Sequence, residues 1–336
     1  MLWRRCIQIL LLFTIVAAAI PPVPIIYETY TETDKTTITI TLTNVYIEPD
    51  DALLPHLYDW YFDGEDDYIE VADDPSLDLS SMTIELFYYQ IGKFDYERLV
   101  SKYLYEDNSG YEVLLSELTT NKVAIAVGDG SRHAFWWEPS TSVRNQWNYL
   151  ATAYNGSEAY GRLNDEILSP ITGAYTVLSN TKNLYIGAYK PGSNHFYGYI
   201  GFVRIYNQSL SYSEISNVYS KHVVNATDMI LFLDATFYNG THYIDLSSYG
   251  NHGTPYNGVE RVLANETWLW LVKNLTSDNL VHLRFFPVNS IVRFKDPSTG
   301  DTLYEYTITG TPNNAGLIED YTVDIPSGNY TVEAVI

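Results

Sequence analysis

Short runs of alternating apolar and polar residues, each ended by turn-forming residues, recur along most of this chain. The runs are rich in Tyr, Thr, Val and Ile, and 31 of the 336 residues are Tyr. A period of two places successive side chains on opposite faces of a sheet, and aromatic and β-branched residues favour that setting. We therefore predict an all-β protein whose residues 58–222 form a sandwich. The clearest predicted strands are 68–71, 82–89, 111–115, 123–127, 147–154, 184–188, 200–206 and, further on, 229–233.

One helix is predicted at residues 211–220. Ser211 is a favourable N-cap, and Glu214 stands where a capping box needs an acid. Ile215, Val218 and Tyr219 share one face of this helix.

The first 26 residues are predicted to be a targeting segment. Arg4 and Arg5 precede the apolar stretch 7–20, and Ala17–Ala19 supplies small residues for cleavage. An uncleaved membrane anchor is the alternative, although the stretch is short for a span.

Seven glycosylation sequons also favour a secreted or envelope-exposed glycoprotein, of archaeal or viral origin. They are Asn155, Asn207, Asn225, Asn239, Asn265, Asn274 and Asn329.

The charge balance restricts the ligands that this chain can bind. Lys and Arg number 19 against 41 Asp and Glu, which gives a net charge of −22. Such a surface repels nucleic-acid phosphates and anionic lipid heads. Divalent cations and neutral glycans remain the better candidates.

The middle of the chain contains several recognisable motifs in order. They are FDGEDDYIEV at 62–71, PSLDL at 75–79, LVSK at 99–102, QWNYLA at 146–151 and GYIGFVRIYN at 198–207. This series resembles the laminin-G-like, concanavalin-A-like jelly rolls, including the pentraxin branch. The resemblance implies a jelly roll over residues 58–262. The run DLSSYGNHGT at 245–254 resembles a loop that usually opens such a domain, so here it is a permuted closing strand or the remnant of a second module.

Two segments flank this region. Residues 27–57 are predicted to be an N-terminal strand and linker. Residues 263–336 are predicted to form a separate, small immunoglobulin-like β-sandwich, to which they bear only a general resemblance.

Catalytic motifs do not stand out in the sequence. Glycosidases on this architecture place paired carboxylates on one strand, commonly as an E-x-D-x-E run, and no such run is present. The nucleophile elbow, HExxH and P-loop patterns are absent too. We predict a non-catalytic protein.

A structural calcium ion is the predicted cofactor. Asp66 and Asp67, brought close to Asp245 and Asn251, would supply the oxygen ligands that Ca²⁺ prefers. The resemblance adds that family members often hold an ion near these segments. The alternative is that the two aspartates form a solvated turn and Asp245 caps a loop.

Glycan binding is predicted at residues 133–138, HAFWWE, with His133, Trp136 and Trp137 as the candidate residues. Adjacent residues of a strand face opposite sides, so only one of the two tryptophans can lie in a core. The alternative for the exposed ring is an inter-domain contact. Trp147 is assigned to the core, which is the position that the resemblance implies.

The leading function is adhesion or glycan binding at a cell or virion surface, with surface glycans or glycoproteins as partners. The alternative is a self-assembling structural subunit, a homo-oligomer or a filament. Its motivation is the strand at 37–43, where Ile38, Ile40 and Leu42 share one face and need a sheet to cover them. Such a strand can add to a neighbouring copy.

Overall fold

The computed structural model describes residues 37–91, 96–116, 121–273, 275–276 and 278–336. The predicted segment 1–26 lies outside the described residues. Among those described, no helix is long and apolar enough to cross a membrane. The elements in chain order are β1 (Thr39–Ile47), β2 (Ala52–Asp63), β3 (Tyr68–Val71), β4 (Met82–Gln90), β5 (Glu97–Ser101), β6 (Ser109–Ser116), β7 (Lys122–Asp129), β8 (Arg132–Trp137), β9 (Trp147–Tyr154), β10 (Glu158–Leu163), β11 (Glu166–Thr172), β12 (Leu184–Ile186), β13 (Tyr197–Tyr206), α1 (Tyr212–Lys221), β14 (Val223–Asn225), β15 (Met229–Asp234), β16 (Gly253–Tyr256), β17 (Glu260–Lys273), β18 (Val281–Leu283), β19 (Phe286–Pro287), β20 (Ile291–Lys295), β21 (Thr302–Thr307), β22 (Leu317–Ile318), β23 (Tyr321–Val323) and β24 (Gly328–Val335).

Two large sheets form the predicted sandwich. The seven-stranded sheet has the order β16-β3-β12-β5-β6-β7-β8, and the larger sheet has the order β11-β10-β9-β4-β13-β2-β17-β14 with β15, β18 and β23 attached at its side. The inward residues of both sheets make one apolar core, which includes Trp60, Phe62, Tyr88, Val113 and Leu150. The two sheets therefore pack around a shared apolar core, which confirms the all-β sandwich.

The helix is also confirmed. The Ser211 hydroxyl accepts a hydrogen bond from the Glu214 backbone N–H, and the Glu214 carboxylate accepts one from the Ser211 N–H. This reciprocal pair satisfies two donors that the first helical turn leaves free. Ile215 and Val218 are buried against the outer face of the larger sheet.

The run at 245–254 lies within the jelly roll. It connects β15, which pairs with β13, to β16, which adds an edge strand beside β3. This placement agrees with the permuted-strand interpretation and leaves no separate module there.

The C-terminal region is tied to the jelly roll by shared strands. A four-stranded sheet, β1-β24-β20-β21, covers a second apolar core that includes Leu42, Phe294 and Val332. Strands β2 and β17 pair from Tyr61 with Glu260 to Ala52 with Val272. The predicted boundaries at 57/58 and 262/263 thus fall inside these two strands, and an immunoglobulin-like fold for residues 263–336 stays a prediction.

The N-terminal strand pairs within its own chain. β1 runs antiparallel to β24, with Thr39 opposite Val335 and Ile47 opposite Gly328. Ile40 and Leu42 are buried in the second core, and Ile38 packs against it. Residues 39–47 are therefore an edge strand of the C-terminal sheet rather than part of a linker.

Candidate functional site

Four aromatic side chains form a continuous row across the outer face of the larger sheet. Tyr61 of β2 lies opposite Tyr199 of β13, which lies opposite Tyr89 of β4, which in turn lies opposite Trp147 of β9. The ring centroids are 5.1, 6.2 and 5.7 Å apart along this order. We call these four residues the aromatic ladder. Cross-strand aromatic pairs at such distances stabilise one another and hold the rings in place.

Alternation along each strand explains why the ladder faces outward. The preceding residues Trp60 and Tyr88 are buried in the jelly-roll core, as is Ile200 beside Tyr199. Each ladder ring is half-buried, so its neighbours fix it while part of its surface remains accessible to solvent.

A cavity of about 480 Å³ adjoins the Trp147 end of the ladder. Phe87 stacks on Trp147 at 4.6 Å and forms part of the wall. Hydrogen-bonding groups lie at the same cavity: Arg162, Asn164, Asp165 and Glu266. The remaining aromatic lining consists of Tyr149, Phe202, Tyr219, Trp268 and Trp270.

A buried ion pair between Glu85 and Arg204 packs against these rings. The Glu85 carboxylate accepts hydrogen bonds from Arg204 Nε at 3.1 Å and from the Tyr149 hydroxyl at 2.7 Å. The Arg204 guanidinium lies 4.4 Å from the centroid of Trp270 and 4.3 Å from that of Phe202. Burial beside this carboxylate raises the pKa of Tyr149, so its hydroxyl stays protonated. The cavity wall is therefore preorganised.

The three residues predicted for glycan binding do not form one site. Trp137 lies in the core, where its indole N–H donates to the Ser169 carbonyl at 2.8 Å. Trp136 faces the other way, with Tyr96 beside it. His133 stacks on Tyr175 at 3.4 Å and contacts Asp129 at 2.8 Å. The opposite orientation of the two tryptophans is confirmed, but their grouping with His133 is wrong because Trp137 is committed to packing.

The assignment of Trp147 to the core is also wrong. Its strand buries Leu150 and Tyr154 in the jelly-roll core, whereas Trp147 is on the opposite face. Both faces of β9 carry aromatic residues, so the alternation alone does not show which face is buried. The adjacent aromatic pairs Trp60-Tyr61 and Tyr88-Tyr89 could have predicted the outer aromatic face, because one ring of each pair must point away from the core.

Three carboxylates form a compact group at the turn between β2 and β3. Ligand oxygens of Asp63, Asp66 and Asp67 lie within 4.8 Å of one another. Asp67 is buried and accepts the Asp63 backbone N–H through one oxygen at 2.9 Å, while its Oδ1 has no hydrogen-bond partner among the described residues. Burial, together with the charges of Asp63 and Asp66, raises the pKa of Asp67. An all-oxygen group of this kind suits Ca²⁺.

The other two predicted ligands lie elsewhere. In the β3–β16 pair Tyr68 is opposite Tyr256 and Val71 is opposite Gly253, so Asp67 and Asn251 are at opposite ends of it. Asp245 accepts from the backbone N–H groups of Phe232 and Asn251, both at 2.8 Å. The four-residue calcium site is therefore wrong as a set, because Asp245 and Asn251 already bind the backbone.

The sequons are placed mainly at the surface. Asn239 is half-buried, and Asn274 lies outside the described residues. The exposed ones are Asn155, Asn207, Asn225, Asn265 and Asn329.

Comparisons with known proteins agree with this architecture. Residues 63–216 match the family model of the concanavalin A-like lectin/glucanases superfamily. No curated protein matches the chain. A solved structure from Bacteroides ovatus, described as a carbohydrate-binding protein, is 15% identical, covers 66% of this chain and 62% of its own, and has a TM-score of 0.48. This chain thus spans less than two thirds of that relative.

Two further solved structures are similar to part of this chain. A heptameric SAP-like pentraxin from Limulus polyphemus is 8% identical, with 66% of this chain and 98% of that chain covered and a TM-score of 0.42. The CBM40 domain of a Ruminococcus gnavus IT-sialidase is 13% identical, with 54% and 99% covered and a TM-score of 0.39. The match of the family model to residues 63–216 agrees with the two-sheet sandwich that the structure shows there.

Proposed function

We propose that this chain, whose residues 63–216 form a concanavalin A-like domain, is a non-catalytic glycan-binding protein of an extracellular surface that uses the aromatic ladder. The observation that carries the proposal is the register that aligns Tyr61, Tyr199, Tyr89 and Trp147 on four adjacent strands.

Aromatic rings bind sugars through the apolar faces of the pyranose ring, while hydroxyl groups bind at the polar edges. The ladder supplies the first contact, and its tyrosine hydroxyls supply part of the second. Asn164, Asp165 and Glu266 add hydrogen-bonding groups at the adjoining cavity. The strongly acidic surface as a whole favours a neutral glycan at this face.

The dimensions favour an oligosaccharide over a single sugar. Neighbouring strands are about 4.8 Å apart, so the four strands of the ladder extend over about 14 Å. The cavity next to Trp147 then accommodates one end of the oligosaccharide.

Substitution of the ladder residues tests the proposal. A glycan array first identifies the ligand, and calorimetry then compares wild type with Trp147→Ala and Tyr89→Ala. If sugar stacking resembles the base–aromatic case, each substitution should weaken binding by about 1–3 kcal/mol. Neither ring lies in the buried core, so the folded state should persist, which the melting curve checks.

Trp136→Ala is the matched control, since Trp136 is a partly exposed tryptophan on the other sheet. The proposal fails if the ladder variants bind as tightly as wild type. A loss seen only in Trp136→Ala would move the site to the sheet that the sequence first indicated.

Self-assembly remains the alternative function. The pairing of β1 with β24 favours the glycan-binding proposal, because the strand already has a partner in its own chain. The position of β1 at the edge of its sheet keeps strand addition open to test.

Two further expectations accompany the proposal. A structural calcium ion would be held by Asp63, Asp66 and Asp67, the compact carboxylate group of the structure. Secretion and N-glycosylation would follow from the targeting segment at 1–26, and the surface position of most described sequons supports them.

A further inference from the structure

A second cavity of about 530 Å³ lies on the outer side of the seven-stranded sheet, away from the ladder. Its lining combines three cationic side chains and three tyrosines with a single acid, Glu106, which is unexpected in a chain with a net charge of −22. The residues that matter here are Arg98, Arg132, Lys190, Tyr105, Tyr189 and Asn194.

A buried carboxylate holds the two arginines in place. Glu112 accepts from Arg98 Nε at 2.8 Å and from Arg132 Nη2 at 2.7 Å. Glu112 is fully buried, whereas the Arg132 side chain is 23% exposed. Because one carboxylate faces two guanidinium groups, this cluster keeps one excess positive charge.

Lys190 adds to the positive potential at this cavity, and Lys182 lies close behind it. Lys190 is largely exposed, and its nearest carboxylate, on the exposed Glu106, lies 3.7 Å away. Lys182 packs behind the cavity with its Nζ 3.8 Å from the Tyr189 ring centroid. Burial, and secondarily the charges of Lys190 and Arg98, lowers the pKa of Lys182 to about 7 although the Glu112 carboxylate opposes this.

The tyrosines supply surfaces for a sugar ring beside these charges. The rings of Tyr105 and Tyr189 meet edge to face at 4.9 Å. Arg98 Nη2 donates to the Tyr105 hydroxyl at 2.5 Å, which fixes this ring against the cationic cluster. Asn194 and Ser193 add groups that can bind hydroxyls at the rim.

We propose that this cavity binds an anionic sugar residue, with its carboxylate or sulfate facing the exposed cations Arg132 and Lys190 and its ring against Tyr105 and Tyr189. Guanidinium groups form paired, charge-assisted hydrogen bonds with such anions. The site is independent of the aromatic ladder, which is on the other sheet, so the molecule has one face for neutral glycan and one for acidic glycan.

Titration of the full-length protein with matched monosaccharides tests this proposal. Ligand-detected NMR compares glucuronic acid and glucose 6-sulfate with glucose, which lacks the anionic group. The acids should bind more tightly than glucose. Lys190→Gln should weaken acid binding about tenfold, the usual effect of losing one charge-assisted hydrogen bond.

Lys122→Gln is the matched control, because Lys122 is also a surface lysine paired with an exposed glutamate, Glu138. The Lys122→Gln variant should bind the acidic sugars as tightly as wild type. Lys190→Gln alters an exposed side chain, so the test does not depend on a variant that disturbs the buried Glu112 cluster.

The comparison between the two acids distinguishes a carboxylate from a sulfate ligand, and binding of either supports the site. Equal binding of glucose and glucuronic acid would overturn it, as would no acid binding at all. Displacement of glucuronic acid by inorganic sulfate at equal concentration would show a general anion site and would overturn the sugar assignment.

Discussion

At the scale of single residues, Asp67 is the side chain whose surroundings best suit a bound cation. It is buried, its neighbours include the carboxylates of Asp63 and Asp66, and burial raises its pKa. Without an ion, these charges repel one another in the folded state. A divalent cation would remove the repulsion and use the free oxygen of Asp67.

We expect Ca²⁺ to raise the melting temperature of the protein, since an ion that binds only the folded state stabilises it. At a concentration one hundred times its dissociation constant the gain is about 2.7 kcal/mol. Asp67→Asn should abolish this rise in differential scanning fluorimetry.

Asp245→Asn provides the contrast. It should lower stability by weakening backbone hydrogen bonds at the 245–254 loop, yet the calcium-induced rise should remain. An identical melting curve in calcium and in EDTA would show that no stabilising ion is bound.

At the scale of elements, β1 shows how a strand near one end of the chain completes a sheet at the other. Thr39–Ile47 covers the edge of β24 and adds Ile40, Leu42, Val45 and Ile47 to the second core. Loss of β1 would expose both the edge of β24 and this apolar surface, which favours aggregation.

Leu42→Ala should destabilise the protein by about 2–5 kcal/mol, because it leaves a cavity in a buried core. Thr43→Ala, at the exposed neighbouring position, should change stability by less than about 0.5 kcal/mol. Urea unfolding measures both. The wild type should elute as a monomer in size-exclusion chromatography, as expected for a strand paired in its own chain.

Long polymers of wild type that disappear when residues 37–48 are deleted would instead support the self-assembly alternative. In that case a peptide of residues 37–48 should bind the deleted protein and restore its melting temperature.

At the scale of the whole molecule, His56 joins the jelly roll to the C-terminal region. It is fully buried on β2, contacts Asp234 of β15 at 2.8 Å and Asp59 at 3.2 Å, and stacks on Trp268 of β17 at 3.9 Å. Burial alone would lower the pKa of His56, but the two carboxylates outweigh it and raise the pKa to about 9. The charged imidazole is therefore part of the folded structure at neutral pH.

This raised pKa predicts a pH-dependent contribution to stability. The contribution is complete below pH 6.5, the ordinary pKa, and is lost as the pH rises through about 9. The shift corresponds to roughly 3 kcal/mol. Lys182 changes the stability in the opposite direction. Its pKa is lowered to about 7 in the folded protein, so its contribution to the free energy of unfolding increases as the pH rises above 7.

The comparison of wild type with His56→Asn separates the two effects, since both proteins retain Lys182. The difference in their free energies of unfolding should narrow by roughly 3 kcal/mol between pH 6.5 and 9. A difference that stays constant over this range would mean that His56 is neutral in the folded protein.

What the sequence determined alone is local. The capping box of Ser211 and Glu214 and the alternation within each strand depend on residues a few positions apart, and both are as predicted. Of the acidic turn, the sequence analysis singled out Asp66 and Asp67 but not Asp63, although all three lie within five residues.

The tertiary structure decided which strands are neighbours and which face of each is buried. Tyr61, Tyr89, Trp147 and Tyr199 become one surface only through the strand order β2-β13-β4-β9 and its register. The same holds for β1, whose partner β24 lies almost 300 residues later. Period-two alternation is identical for either face, so only the packing of distant strands around a common core selects the face that remains available for binding.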